Sequence, residues 1–249
     1  MIVLASDFDN TLYFQNIENG YKEQDIQAIK QWQRQGNLFG ICSGRPIAGL
    51  IHQLPKELKP DFYIVSTGGL ILDHNYQVLY GQTVPFDIAD EIYETYKNEI
   101  ELLPQTSSLD YVYITHPNKN DEHTVKISSM EDMRGKELYS FSLIKSTNFR
   151  AKQITQEINE KYDCVDAYQN RDSIDIVAKG CSKGKAIVLL KELLDIKRIA
   201  GIGDSYNDVP MLDQVDTAFT FHDSPQEIQS QVDYVVFNIQ EAIDILKEE

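Results

Sequence analysis

Two carboxylates one residue apart follow a short apolar run at the start of the chain, in Asp7-Phe8-Asp9-Asn10-Thr11. Carboxyl groups so placed can divide two roles. Asp7 can attack an electrophilic phosphorus as a nucleophile, and Asp9 can protonate a leaving oxygen and then activate water. Taken alone, the same residues also read as an ordinary turn after a strand, which favours Asp and Asn. A second acidic stretch, Gly201-Ile202-Gly203-Asp204-Ser205-Tyr206-Asn207-Asp208, again follows apolar residues. Asp204 there can share a hard cation such as Mg²⁺ with Asp7. Asp208 precedes Val209-Pro210 and has two readings, a metal ligand or a cap and support for the helix that follows.

Two further stretches supply positive charge and hydrogen-bond donors. Lys179-Gly180-Cys181-Ser182-Lys183-Gly184-Lys185 stands just before an apolar helical pattern. A lysine at a helix start opposes the helix dipole, unless an anion lies in front of it. Lys183, beside Gly184, is the member best placed to meet one; by itself the stretch reads as a solvated basic linker. In Cys42-Ser43-Gly44-Arg45-Pro46, the Ser43 hydroxyl and the Gly44 amide can donate to a phosphoryl oxygen. Cys42 and Arg45 are too close in sequence for a cysteine-phosphatase loop, so Cys42 reads as a buried structural thiol.

Electrostatics decides which combination is coherent. An ionised Asp meeting a phosphate is an encounter of like charges, worth about 4 kcal/mol of repulsion at ~4 Å and an effective dielectric near 20. A divalent cation beside Asp7, with Lys183 opposite, turns that repulsion into attraction. The four stretches together therefore describe a phosphoryl-transfer site.

Such a site needs elements that bring distant residues together. Ile2 to Ser6, Leu38 to Cys42 and Phe62 to Val65 are short apolar runs, the pattern of strands buried on both faces. Helical spacing separates them at 25–35 and 47–54. Alternation of this kind predicts a parallel sheet. After about Gln82 the character changes: 86–100 and 148–162 read as helices. The stretches 110–115, 124–128, 138–144, 163–168 and 173–178 read as strands, several in succession, which predicts antiparallel pairing. The alternating pattern returns with a helix at 185–194, a strand at 198–202, a helix at 209–214 and a strand at 218–221. The expected fold is α/β, a Rossmann-like parallel-sheet core formed by 1–82 and 179–249, interrupted by an inserted α+β domain at 83–178.

In their order and spacing these residues resemble the haloacid dehalogenase superfamily of phosphatases. They are most similar to the Cof-like sugar-phosphate phosphatase branch, which carries a large α/β cap after the third core strand. The resembling segments are 7–12, 41–45, 183–184 and 203–212. The resemblance implies that Asp7 is the nucleophile and Asp9 the general acid/base. It implies Mg²⁺ held by Asp7, the Asp9 backbone carbonyl and Asp204, with Asp208 as a further candidate. The phosphoryl group would be held by Ser43, Gly44, Lys183 and Asn207, with Arg45 also on the substrate side. Ion-pumping ATPases among the relatives have threonine where Asp9 stands, so Asp9 points toward hydrolysis. Two departures stand out: Asn10 where glycine is common, and Thr67-Gly68-Gly69 where many relatives carry Asn-Gly.

Composition bounds the partners. The 249 residues carry Lys+Arg 23 against Asp+Glu 39, a net charge of -16, which argues against a nucleic-acid partner held by a basic face. No apolar run approaches the ~20 residues of a spanning helix, so no membrane partner is expected. Cys42, Cys164 and Cys181 are scattered, which indicates free thiols in a reducing cytoplasm and excludes a cysteine-rich zinc site. His116, His123 and His222 lie apart and read as surface or satisfied histidines. Tyr111 and Tyr113 read as one face of a strand, and Trp32 as core. The expected activity is Mg²⁺-dependent hydrolysis of a small phosphorylated metabolite through an aspartyl-phosphate, by a monomer or weak homo-oligomer. The rival readings are a phosphomutase and a non-catalytic phospho-metabolite binding protein.

Overall fold

The computed structural model describes residues 1–114, 123–144 and 146–248. Its first strand, β1 (Val3–Ser6), is buried throughout. The helix α1 (Glu23–Arg34) then turns Ile26, Ile29 and Trp32, three residues apart, onto the sheet. Trp32 settles there with its indole N–H donating to Leu38 O at 3.0 Å. The chain continues through β2 (Leu38–Cys42), a single turn α2 (Ala48–Ile51), β3 (Phe62–Val65), β4 (Leu70–Asp73) and β5 (Val78–Gly81).

The middle of the chain contributes α3 (Phe86–Tyr96), β6 (Glu101–Gln105), β7 (Tyr111–Ile114), β8 (Thr124–Ile127), β9 (Ser140–Ile144), α4 (Asn148–Lys161), β10 (Val165–Asn170) and β11 (Ser173–Ala178). The last third runs α5 (Lys183–Leu193), β12 (Ile199–Ile202), α6 (Val209–Leu212), β13 (Thr217–Phe221), α7 (Gln226–Gln229), β14 (Tyr234–Val236) and α8 (Ile239–Glu248). Among the described residues no helix is long and apolar enough to cross a membrane.

These strands form an eight-stranded sheet ordered β14-β13-β12-β1-β2-β3-β4-β5 and a four-stranded sheet ordered β10-β11-β9-β6. In the larger sheet β1 pairs in parallel with both β2 and β12. The order therefore reverses at β1, and the crevice beyond the carboxyl ends of such strands is where ligands bind in open α/β sheets. Side-chain alternation along β1 feeds two cores. Leu4 packs with Ile29, Trp32, Ile243 and Leu246 on one face. Val3 and Ala5 pack with Ala186, Ile187, Leu190 and Met211 on the other. A third cluster, from Val84 to Cys181, lies between the helices α3 and α4 and the smaller sheet.

The structure departs from the sequence expectations in specific places. The strands β4 and β5 add an antiparallel edge to the parallel sheet, and β5 is only half-buried, so it lacks the apolar run that marks the inner strands. The strand β6 contains Pro104; it lies at the edge of its sheet, the place where a residue without an N–H is tolerated. Antiparallel pairing holds for β6, β9, β10 and β11, but β7 and β8 pair in parallel. Their connection is far longer than a hairpin turn, so chain order does not impose antiparallel direction. Thr115 and His116 lie outside the described residues. The helix expected over 47–54 reduces to α2. The expected elements end at Phe221, whereas Ile239, Ala242, Ile243 and Leu246 form the buried stripe of α8.

Candidate active site

Three loops meet at the carboxyl ends of the central strands. Asp7 follows β1 directly, and its backbone N–H donates to Ile202 O at 2.9 Å, which carries the ladder with β12 one step further. Asn10 then adopts a left-handed conformation, φ 58, which Asn tolerates better than most residues. The amides of Leu12 and Tyr13 fold back onto Phe8 O. This turn aims the buried Thr11 hydroxyl at Asp204 Oδ1, 3.3 Å away. Thr11 was not singled out from the sequence; its place in the 7–12 segment was the available signal.

Lys183 enters from the opposite side as the first residue of α5, where the Ser182 hydroxyl accepts from the amide of Lys185. Its side chain is 2% exposed and its Nζ donates to Asp7 Oδ1 at 2.5 Å and Asp208 Oδ1 at 2.6 Å. Gly184 makes this approach possible, because a Cβ there would lie 2.0 Å from Pro210 O. Gly203 does the same for Asp208, whose Cβ and Cγ would stand 2.5 and 2.6 Å from an added methyl.

Asp208 is fully buried. While its Oδ1 accepts from Lys183, its Oδ2 accepts from the amides of Asp204 and Ser205 at 3.1 Å. It closes a capping box with Ser205 over the single turn Tyr206–Asp208, and makes no side-chain cap to α6. Both oxygens are thus engaged by the protein, the arrangement of a group that positions Lys183.

The charge balance of this site is uneven. Asp7, Asp204 and Asp208 each bring a carboxylate oxygen within 4.8 Å of the others. Among the described residues Lys183 is the one ammonium bonded into the group, so three carboxylates, when ionised, face a single positive charge. Burial first, and the Asp208 carboxylate second, push the Asp7 pKa up to about 8 against the pull of Lys183. Burial and then Asp208 push Asp204 up to about 6. Burial alone would lower the Lys183 pKa, but the Asp208 and Asp7 carboxylates outweigh it and hold the group above its usual range. A surplus of two negative charges on an all-oxygen donor set fits a hard divalent cation. Cys42 sits beside this cluster fully buried, and burial pushes its thiol above the usual range, which disfavours a thiolate nucleophile.

The remaining expected residues take different positions. The Arg45 guanidinium grips Asp9 bidentately, Nε to Oδ2 at 2.7 Å and Nη2 to Oδ1 at 2.6 Å. Its Nη1 donates to Gly49 O and Gln53 Oε1. Arg45, expected on the substrate side, is therefore turned onto Asp9, and both Asp9 carboxylate oxygens accept from it. Ser43 is buried, and its hydroxyl accepts from the amide of Arg45 at 3.2 Å. The amides of Ser66 and Thr67 donate back to Arg45 O and Ser43 O. Both residues have φ 54, a strained conformation that places Thr67 Oγ1 against Gly44. The Asn207 amide oxygen accepts from the Ser205 hydroxyl at the exposed tip of its turn. His222 packs on Phe237, whereas His123 lies against His52 and Asp110, a proximity that sequence spacing did not indicate.

The model of the haloacid dehalogenase-like hydrolase family matches residues 4–242. An uncharacterized protein of Mycoplasma capricolum is 28% identical, with 96% of this chain and 97% of that one covered. A phosphoglycolate phosphatase of Sulfurisphaera tokodaii is 23% identical, over 98% of this chain and 91% of that one. Among solved structures, a sugar phosphatase of HAD subclass IIB shares the fold with a TM-score of 0.77 at 22% identity, covering 100% of this chain and 98% of the other. The chain belongs to the haloacid dehalogenase-like hydrolase family and is one of its phosphatases.

Proposed function

We propose that the protein is a Mg²⁺-dependent phosphatase that hydrolyses a small phosphomonoester, a sugar phosphate or similar metabolite, through an aspartyl-phosphate on Asp7. The observation that carries this reading is Lys183 Nζ bonded to Asp7 and Asp208, with Asp204 adjoining. Asp7 and Asp204 would hold the metal together with the Asp9 carbonyl. Asp208, a candidate ligand from sequence, would instead orient Lys183. The bound ion supplies charge neutralisation between carboxylate and phosphoryl oxygens.

In the first step an Asp7 oxygen forms a bond to phosphorus as the ester P–O bond breaks, and the leaving oxygen takes a proton from Asp9. In the second, Asp9 takes a proton from water as that water attacks the phosphorus and the Asp7–phosphorus bond breaks. Both steps require Asp9 to leave the guanidinium of Arg45, so Arg45 holds the acid/base out of play until substrate competes for one of them. Lys183, Ser43, Gly44 and Asn207 would hold the phosphoryl oxygens. The unit formed by 83–178 would act as a cap that closes over the leaving group, with 1–82 and 179–249 as the catalytic core. Its sugar-phosphatase neighbour among solved structures supports a hydroxylated leaving group. The unpaired thiols of Cys42, Cys164 and Cys181 fit a cytoplasmic setting.

The test is aryl-phosphate hydrolysis in Mg²⁺. Wild type should release phosphate, EDTA should stop it, and Asp7→Asn should be inactive. Equal rates for wild type and Asp7→Asn would remove the mechanism.

A further inference from the structure

His52, Asp110 and His123 come together although the sequence separates them widely. His52 is the residue that ends α2. Asp110 and His123 immediately precede β7 and β8, whose parallel register pairs Tyr111 with Thr124 and so sets the two preceding residues side by side. The His123 Nδ1 stands 3.7 Å from Asp110 Oδ1, and the His52 and His123 rings stack with centroids 3.7 Å apart. One ligand atom from each of the three residues lies within 4.8 Å of the others.

A second feature points to a ligand. His52 Nε2 lies 2.8 Å from Leu109 O. A carbonyl can only accept, so Nε2 carries the proton, and the lone pair of a neutral His52 is on Nδ1. An imidazole whose other nitrogen donates to a backbone carbonyl is the arrangement that orients histidine metal ligands. We propose that His52, His123 and Asp110 form a binding site for a borderline transition-metal ion, with Zn²⁺ as its representative, separate from the acidic site.

The donor set selects this class. Two imidazoles and one carboxylate suit Zn²⁺ and its neighbours, whereas Mg²⁺ prefers oxygen. Bonds of about 2.0–2.1 Å in a tetrahedral site bring ligand atoms to roughly 3.3 Å of one another. The required closing is a rotation of side chains that solvent reaches, Asp110 and His123 being 46% and 42% exposed, and it turns the rings out of their stack. Three protein ligands leave the fourth position to water. An ion here ties the β7–β8 pair to α2, the turn whose Gly49 carbonyl and neighbouring Gln53 brace Arg45. Zinc would thus restrain the inserted segment against the part of the core that bears Asp9 and Ser43.

The test measures Zn²⁺ binding by competition with a chromophoric chelator, in saturating Mg²⁺ and without substrate. Wild type should bind one more equivalent than the variant His52→Ala/His123→Ala, and His222→Ala should match wild type. Asp110→Asn should weaken that equivalent by at least about tenfold. Zinc should also raise the unfolding temperature of wild type more than that of the double variant. The proposal is overturned if wild type and double variant bind the same number of zinc ions with the same affinity. It is equally overturned if zinc stabilises the two by the same amount. Neither readout uses phosphatase activity, so it stands or falls apart from the mechanism above.

Discussion

Replacing Lys183 by Met tests the electrostatic core of the site. The substitution keeps an unbranched side chain of similar volume and removes the ammonium from between Asp7 and Asp208. At ~2.5 Å and an effective dielectric near 20, each contact is worth roughly 6 kcal/mol before desolvation. Desolvation of the lysine cancels most of that sum, and breaking a buried pair by removing one partner costs about 3–5 kcal/mol. The loss should depend on pH. Asp7 already titrates at about 8 with the lysine present, and without it the folded value rises further. A group whose folded pKa is raised contributes stability that is complete below its unfolded value of 3.8 and lost as pH rises through the folded value. Folded Asp7 stays protonated in both proteins below about pH 8, so its part of the gap is constant there. The gap opens only above that value, where wild-type Asp7 ionises beside the lysine. Lys183→Met should therefore lose more stability at pH 9 than at pH 6. Mg²⁺ should restore part of the loss at pH 9, because it replaces the missing positive charge. Urea unfolding at both pH values, with and without Mg²⁺, measures each quantity. A loss below ~1 kcal/mol at pH 9, or a gap that widens on acidification, would refute the charge accounting.

Gly184→Ala places a methyl 2.0 Å from Pro210 O. Backbone must move, so we expect a loss of about 1–3 kcal/mol in urea unfolding, with a fall in kcat as Lys183 and Asp208 separate. Asp25→Asn probes a buried carboxyl that accepts from the amide of Gln240 at 3.0 Å, joining α1 to α8. Burial raises its pKa, so its charge is a cost that appears as pH rises through the folded value and vanishes below the unfolded one. The variant should match or exceed wild type in melting temperature at pH 7, and the difference should shrink as pH falls toward 4. EDTA should lower the melting temperature of wild type, prepared with Mg²⁺, more than that of Asp204→Asn, which lacks one of the carboxylate oxygens proposed to hold the metal.

Much of the architecture is legible along the chain, because a strand buried on both faces must be apolar throughout, as Val3–Ser6, Leu38–Cys42 and Phe62–Val65 are. The same reading passes over β5 and β6, which are edge strands: one is half-buried and the other carries Pro104, so neither keeps the pattern of an inner strand. The α8 stripe is carried by the helical spacing of Ile239, Ala242, Ile243 and Leu246. Residue types also name the candidate chemistry, since carboxylates, a lysine before a helix and small residues beside them admit few combinations.

What the linear chain determined by itself is therefore the inventory: which residues can carry charge, and which segments must be inside. Pairings were decided only by the folded chain. The reversal of strand order at β1 sets Asp7 beside the turn that bears Asp204 and Asp208. The turn 66–68 binds the Ser43–Arg45 loop, the Arg45 guanidinium settles on Asp9, and the β7–β8 register brings His123 to Asp110. Each of these contacts joins residues remote in sequence, where side-chain preference is silent and the geometry of packed sheets and loops selects the partner.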